Sequence, residues 1–204
     1  IVNAVTGLPT TNPNPVIAGN VTPKHTVGIS TSLRYKAFTL NMTADYRTGF
    51  KIYNSIGQFM SFTGSSLYSA ATNRQRFVFP NSVIETSPGV YTPNTNITTN
   101  DANYNLFPGL FNNIESPYVS SAAAWKLREV SISYELPKSF LRMTKIIQRA
   151  TFTVSGRNLL LFRPKTNQWT DPEFSDDTSN AVGTNSLNQA PPTRIVGATL
   201  SITL

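Results

Sequence analysis

The first sustained pattern along the chain is an alternation of apolar and polar residues. Val27, Ile29, Leu33 and Tyr35 fall on one parity, and Thr26, Gly28, Ser30, Ser32 and Arg34 on the other. A period of two marks a strand with one apolar face. The pattern resumes with Phe38, Leu40, Met42, Ala44 and Tyr46 against Thr39, Asn41, Thr43, Asp45 and Arg47. Two strands, at about 24–35 and 37–49, are therefore predicted to form a hairpin around Lys36. A third is predicted at about 119–135, where Val130, Ile132 and Tyr134 oppose Glu129, Ser131, Ser133 and Glu135. Upstream, Trp125 and Leu127 are out of phase with Val130, and a bulge near Arg128 and Glu129 restores both sets to one face. A fourth, at about 150–162, sets Phe152, Val154, Leu160 and Phe162 against Thr151, Thr153, Ser155 and Arg157. Asn158 falls on its apolar parity, against the pattern. The last, at about 194–204, carries Val196, Ala198, Leu200, Ile202 and Leu204 on one side.

The connections are unequal. Only Lys36 and its neighbours join the first two strands, whereas about 50–118 and 163–192 are long, polar and without sustained period. After Leu136-Pro137, helical spacing at about 138–148 puts Lys138, Arg142, Lys145 and Arg149 on one side and Phe140, Met143 and Ile147 on another, so a short turn helix is expected there. Short turns on one rim and long loops on the other distinguish an outer-membrane barrel from a soluble sandwich. Depth sorting agrees: Tyr35, Phe38, Tyr134 and Phe152 lie beside the short turns, Tyr46 and Phe162 near the long loops, as two aromatic girdles require. The expected fold is an all-β transmembrane antiparallel β-barrel, with periplasmic turns at the short connections and extracellular loops at the long ones. Five strands cannot close, and open edges in hydrocarbon cost several kcal/mol per unpaired backbone group. Strands outside the sequence are expected to flank these five, and the chain to be a mature segment or a fragment of something longer.

Composition narrows the chemistry. Of 204 residues only 13% are charged, against 39% hydrophobic, with 26 Thr, 20 Ser and 20 Asn. The absence of Cys removes disulfides, thiolate metal sites and cysteine nucleophiles, and the single His25 removes the usual His-based triads and metal sites. The net charge of +7 and pI near 9.8 raise nucleic acid or anionic lipid as partners. The scatter of the 17 Lys and Arg, with no basic stretch carrying interleaved aromatics, argues against nucleic acid.

Several motifs, in order, resemble the late part of SusC/RagA-like TonB-dependent outer-membrane transporters. They are the run from Ala124-Trp125-Lys126-Leu127-Arg128 through Tyr134-Glu135-Leu136-Pro137-Lys138, Ser155-Gly156-Arg157-Asn158-Leu159, Asp171-Pro172-Glu173, and Pro191-Pro192-Thr193-Arg194 before the final strand. The similarity spans roughly Pro23 to Leu204. Leu204 stands where an aromatic is usual in the family. The resemblance implies a barrel of about 22 strands around an N-terminal plug, these five being the last. It also implies import of glycans or oligopeptides driven by TonB through a segment absent here, a SusD-like surface lipoprotein on the extracellular side, and an outer-membrane location in a Bacteroidota-type Gram-negative bacterium. No cofactor is implied.

Weighed against this are a secreted β-sandwich adhesin or carbohydrate-binding module, and a small outer-membrane β-barrel hydrolase. The hydrolase needs a nucleophile and a base, and His25 has no evident Ser partner. Asp171, Glu173, Asp176 and Asp177 are oxygen donors suited to Ca²⁺, but their spacing is not that of an EF-hand, and a solvated loop with local capping is the plainer expectation. The Lys138, Arg142, Lys145 and Arg149 side is expected to be a solvated rim. Arg34, Asp45, Arg47, Glu129, Glu135 and Arg157 are expected on the polar side, pairing with one another or with the plug. The long loop is rich in aromatics: Tyr53, Phe59, Phe62, Tyr68, Phe77, Phe79, Tyr91, Tyr104, Phe107, Phe111 and Tyr118. Such side chains suit sugar rings or a lid protein, and equally a small core within the loop. No catalytic residue is expected, and no substrate-binding residue is assigned.

Overall fold

The computed structural model describes residues 1–99, 114–143, 146–175, 182–188, 190 and 192–204. In chain order these form β1 (His25–Tyr35), β2 (Phe38–Thr48), β3 (Lys51–Asn54), α1 (Ser55–Phe62), α2 (Leu67–Ala70), β4 (Val83–Ser87) and β5 (Val90–Pro93). A 3-10 turn at Ser116–Tyr118 then leads into β6 (Val119–Ser121), β7 (Ala124–Glu135), α3 (Lys138–Leu141), β8 (Arg149–Phe162), β9 (Thr184–Asn185) and β10 (Ile195–Thr203). The protein is all-β in character, and among the described residues no helix is long and apolar enough to cross a membrane. Two compact units emerge. One comprises Ile1–Gly19, Tyr53–Ser120 and Thr184–Asn188, the other Asn20–Ile52, Ser121–Gly183 and Gln189–Leu204.

The second unit is built on a five-stranded antiparallel sheet in the order β1-β2-β7-β8-β10. Its registers convert the alternation of each strand into rows across the sheet. Tyr35 pairs with Phe38, Phe38 with Tyr134 and Tyr134 with Phe152, the Phe38 and Tyr134 rings standing 4.7 Å apart. A second row joins Tyr46, Trp125 and Phe162, with Tyr46 and Trp125 stacked at 4.6 Å. Eight to ten residues separate the rows along β2, β7 and β8. At roughly 3.3 Å per residue, the rows stand roughly 26–33 Å apart along the strands. Between them Ile29, Leu33, Ile132, Val154 and Val196 lie on the same face as the rows and remain exposed.

The opposite face is a ladder of hydroxyls, amides and charges. Ser30 and Thr43 hydroxyls approach to 3.3 Å, Asn41 donates to Ser131 at 3.3 Å, and Ser133 meets Thr153 at 2.9 Å. Glu135 accepts both Arg34 and Arg149 at 3.2 Å, and Arg157 lies 3.3 Å from Glu129. Arg149 and Arg157 thus neutralise Glu135 and Glu129 across the adjacent β7 and β8, as cross-strand pairs do, while Arg34 reaches Glu135 past β2.

The phase change in β7 is a bulge at Arg128. Thr43 pairs with Glu129 and Ala44 with Leu127, so Arg128 has no opposite residue in β2. Toward β8, Leu127 faces Leu160 and Glu129 faces Arg157, leaving Arg128 opposite both Asn158 and Leu159. Asn158 adopts φ +52°, a left-handed conformation that Asn tolerates better than other side-chain-bearing residues, and its amide donates to Thr193 O at 3.2 Å. This accounts for Asn158 on the apolar parity. A Cβ on Gly156 would lie 2.7 Å from the Leu159 side chain, so the glycine makes room for the leucine beside it.

The other unit is held by buried asparagines. Asn54 donates to Tyr118 O and Ser120 Oγ, both at 2.9 Å, and Asn185 donates to Asn54 Oδ1 at 2.9 Å. Asn185 Oδ1 in turn accepts the Ile56 amide at 3.2 Å, and Ser55 Oγ donates to Asn185 O. Both asparagines are fully buried, and these bonds satisfy amides that would otherwise be costly to desolvate.

Three details differ from the sequence expectations. The stretch expected to be an elementless loop holds β3, α1, α2, β4 and β5. The buried side of α1 is Ser55, Gly57 and Ser61, which leaves no apolar stripe to show a helical period. The third strand is divided, β6 ending before Ala122 and β7 starting at Ala124. The Ala123 amide turns onto Ser121 Oγ at 3.3 Å instead of continuing the ladder. Finally, the turn helix is the single turn Lys138–Leu141. Lys138 and Arg142 are like charges four residues apart, and one turn is too short to propagate unaided.

Replacing Asn158 with Val forces a β-branched residue into the left-handed region. Equilibrium denaturation is expected to show a loss of about 1–2 kcal/mol for Asn158→Val and little change for Asn158→Gly.

Candidate functional site

Six charged side chains converge on the polar face of the sheet, at the depth of the Tyr46, Trp125 and Phe162 row. Asp45 and Arg47 come from β2, Lys126 and Arg128 from β7, and Asp171 and Glu173 from the segment after β8. Period two places Asp45, Arg47 and Lys126 on the polar face, and the bulge turns Arg128 toward the same side. Lys126 Nζ lies 2.6 Å from both Asp171 Oδ2 and Glu173 Oε2. The Arg128 guanidinium grips Asp45 on one edge and Glu173 on the other, with Nη2 to Asp45 Oδ2 at 2.9 Å and Nη1 to Glu173 Oε2 at 2.5 Å. Arg47 Nη1 reaches Glu173 Oε1 at 2.8 Å.

Three cations meet three anions, so the cluster is formally neutral. The Lys126 and Asp171 side chains are each only 9% exposed. Pro172 is buried between the two acidic residues and, with Phe50, Ala122 and Ala124, lines a small cavity of about 10 Å³ beside the cluster, room for one water at most. Burial pushes the Glu173 carboxyl up, but hydrogen bonds from Arg128 and Lys126 and the charges of both outweigh it and hold it at about 2. The segment carrying Asp171 is braced internally. Arg163 Nη1 donates to Thr170 O at 2.8 Å, the Asn167 amide donates to Pro164 O at 3.0 Å, and the Glu173 amide donates to Asp171 Oδ1 at 3.0 Å.

Two of the four acidic residues singled out in the sequence, Asp171 and Glu173, lie in this cluster, with their oxygens aimed at ammonium and guanidinium groups. Asp176 and Asp177 lie outside the described residues. The partners Lys126 and Arg128 were not singled out as functional. Their signal was their place in the Trp125-Lys126-Leu127-Arg128 run, which shares a motif series with Asp171-Pro172-Glu173.

The other candidates are dispersed. Lys138, Arg142 and Arg149 sit at the short-turn end of the sheet, and Lys145 lies outside the described residues. His25 opens β1 and is exposed. Of the loop aromatics, Tyr118 is fully buried, Phe77 and Phe79 pair at 5.5 Å, and Phe59, Phe62 and Tyr91 are exposed. Tyr53 donates to Gln58 Oε1 at 2.5 Å, and burial, followed by the nearby Glu115 and Tyr118, pushes its hydroxyl up to about 12. Tyr104, Phe107 and Phe111, with the Tyr68 side chain, lie outside the described residues. Some of the described loop aromatics are therefore buried and others exposed.

No family model matches the chain. Its sequence is 27% identical over 169 residues to TonB-dependent receptor P3 of Formosa agariphila, covering 83% of this chain and 15% of that protein. Its fold resembles the RagAB peptide importer in the open-open state with a TM-score of 0.60, at 19% identity over 92% of this chain and 18% of the matched one. For the closed-closed state the TM-score is 0.58, again at 19% identity, over 91% of this chain and 18% of the other. The chain is similar to a segment of the SusC/RagA-like TonB-dependent transporters, and it spans less than a fifth of the length of the proteins it matches. Those proteins are named as a receptor and as importers, and none as an enzyme.

A carboxyl ordinarily near 4.5 and held at about 2 stabilises the docked loop fully above pH 4.5 and progressively less as pH falls toward 2. Pepsin cleavage between residues 163 and 175 is expected to accelerate across that window, and Glu173→Gln to be cleaved rapidly throughout it. Lys126→Met removes one partner of a buried pair and is expected to cost about 3–5 kcal/mol, read as a lowered unfolding midpoint.

Proposed function

We propose that this chain is the C-terminal part of a transmembrane β-barrel of about 22 strands in the outer membrane of a Bacteroidota-type bacterium. The whole protein imports oligopeptides or glycans with energy delivered by TonB, and works with a SusD-like lipoprotein on the extracellular side. In this reading strands about 24–35, 37–49, 119–135, 150–162 and 194–204 cross the membrane. Segments about 50–118 and 163–192 face the exterior, and the turn at about 138–148 faces the periplasm.

The observation that carries the reading is the pair of aromatic rows bounding an exposed apolar band, with a polar, charge-paired ladder on the opposite face. A soluble barrel needs the reverse, an apolar inside and a polar outside. With the strand tilt of about 40° that outer-membrane barrels have, the spacing of the rows comes to roughly 20–25 Å across the membrane, which fits their apolar band of about 25 Å. The ordered motifs, the TonB-dependent receptor relative and the RagAB likeness add weight from independent directions, and the peptide importers among them favour oligopeptides as cargo.

The test is a spin-label accessibility scan in the whole protein after removal of any other thiols. Labels at Ile132→Cys and Val154→Cys are expected to be relaxed by lipid-soluble oxygen. Those at Ser131→Cys and Ser155→Cys are expected to respond to a water-soluble nickel chelate. Equal exposure of all four to the chelate would overturn the membrane reading.

A further inference from the structure

We propose that Asp171, Pro172 and Glu173 make their loop a fixed inner wall at the exterior mouth of the path, and not a lid that opens in each transport cycle. The inference rests on the transporter reading and deepens it, because a wall in this position narrows the mouth and limits the size of what passes.

Three observations carry it. First, the loop turns inward. Asp171 and Glu173 meet Lys126, Arg128, Arg47 and Asp45 on the polar side of β2 and β7, level with the aromatic row on the outer side. Second, the contact is tight. Pro172 is buried over Ala122 and Ala124, and the small cavity beside the cluster holds no more than one water. Third, withdrawal is electrostatically opposed. Lifting Asp171 and Glu173 leaves Arg47, Lys126 and Arg128 facing Asp45 alone, three cations against one carboxylate on a surface where Lys126 is nearly buried. A lid needs two states of comparable energy, and this contact offers a good partner set in only one. Asp171 and Glu173 are therefore positioning residues, holding the wall without themselves contacting cargo.

The experiment uses the whole transporter in intact cells, with other thiols removed and a single Ala124→Cys beneath Pro172. The probe is a membrane-impermeant maleimide carrying a polyethylene glycol chain, with Lys165→Cys on the exposed part of the loop as reference. Labelling at Ala124→Cys is expected to be at least tenfold slower than at the reference and to change by less than twofold when a proton uncoupler is added. Adding Asp171→Asn and Glu173→Gln is expected to raise it at least tenfold. Cells are then fed a tryptic peptide mixture, and internalised peptides are sized by mass spectrometry. The double variant is expected to shift uptake toward longer peptides, whereas a merely structural role lowers all lengths alike. Fast labelling of Ala124→Cys, labelling that depends on energisation, or an unchanged length distribution overturns the wall. Failure of the transporter reading looks different: the reference cysteine itself is unreactive from outside, or the unmodified protein takes up no peptide while Ala124→Cys remains shielded.

Discussion

One unpaired residue in β7 decides which side of the sheet each side chain occupies. Because strand side chains alternate strictly, a shift of one residue inverts everything beyond it. Without the bulge at Arg128, Trp125 and Leu127 would join Ser131 and Ser133 on the polar face, and Lys126 would stand among Ile132 and Val130. With it, the aromatic row at the long-loop end is complete, and Lys126 and Arg128 arrive on the side where Asp45 waits. Both the apolar band and the ion cluster depend on that single insertion. The left-handed Asn158 and the side-chain-free Gly156 in β8 are the adjustments by which the neighbouring strand accommodates it.

The cluster then ties a remote part of the chain to the sheet. Asp171 and Glu173 follow β8, yet their partners lie on β2 and β7, so the anchor spans three strands. Buried ion pairs are poor sources of net stability, since desolvation offsets much of the attraction, but they are strict about geometry. A neutral set of three cations and three anions has one well-satisfied arrangement and many poor ones. The contact therefore specifies where the loop sits more than it adds to the stability of the sheet.

Much of this was legible in the residues. The five long strands, the phase change at Arg128 and the two aromatic rows follow from a period of two, a signal that accumulates over ten residues and survives single exceptions. What was hidden shares one physical trait: its order comes from polar contacts that leave no hydrophobic rhythm. The helix at Ser55–Phe62 buries serines and a glycine, and the asparagines at 54 and 185 pair across more than a hundred residues. Likewise, Asp171 and Glu173 were visible as acidic residues, but only the folded chain shows that their counter-charges are Lys126, Arg128 and Arg47. Asn158 was a plain anomaly until its backbone angle supplied the reason.

The place of the anchor within its loop bears on how such a protein can change over generations. By pinning residues 171 and 173 to the sheet, the chain splits one long excursion into two shorter ones that close independently. The stretch beyond Glu173 begins from a fixed point, and the entropy of closing a loop grows only slowly with its length. Insertions and deletions between Glu173 and β9 leave the pinned stretch undisturbed, whereas Asn185 just beyond them is itself held in the buried asparagine network.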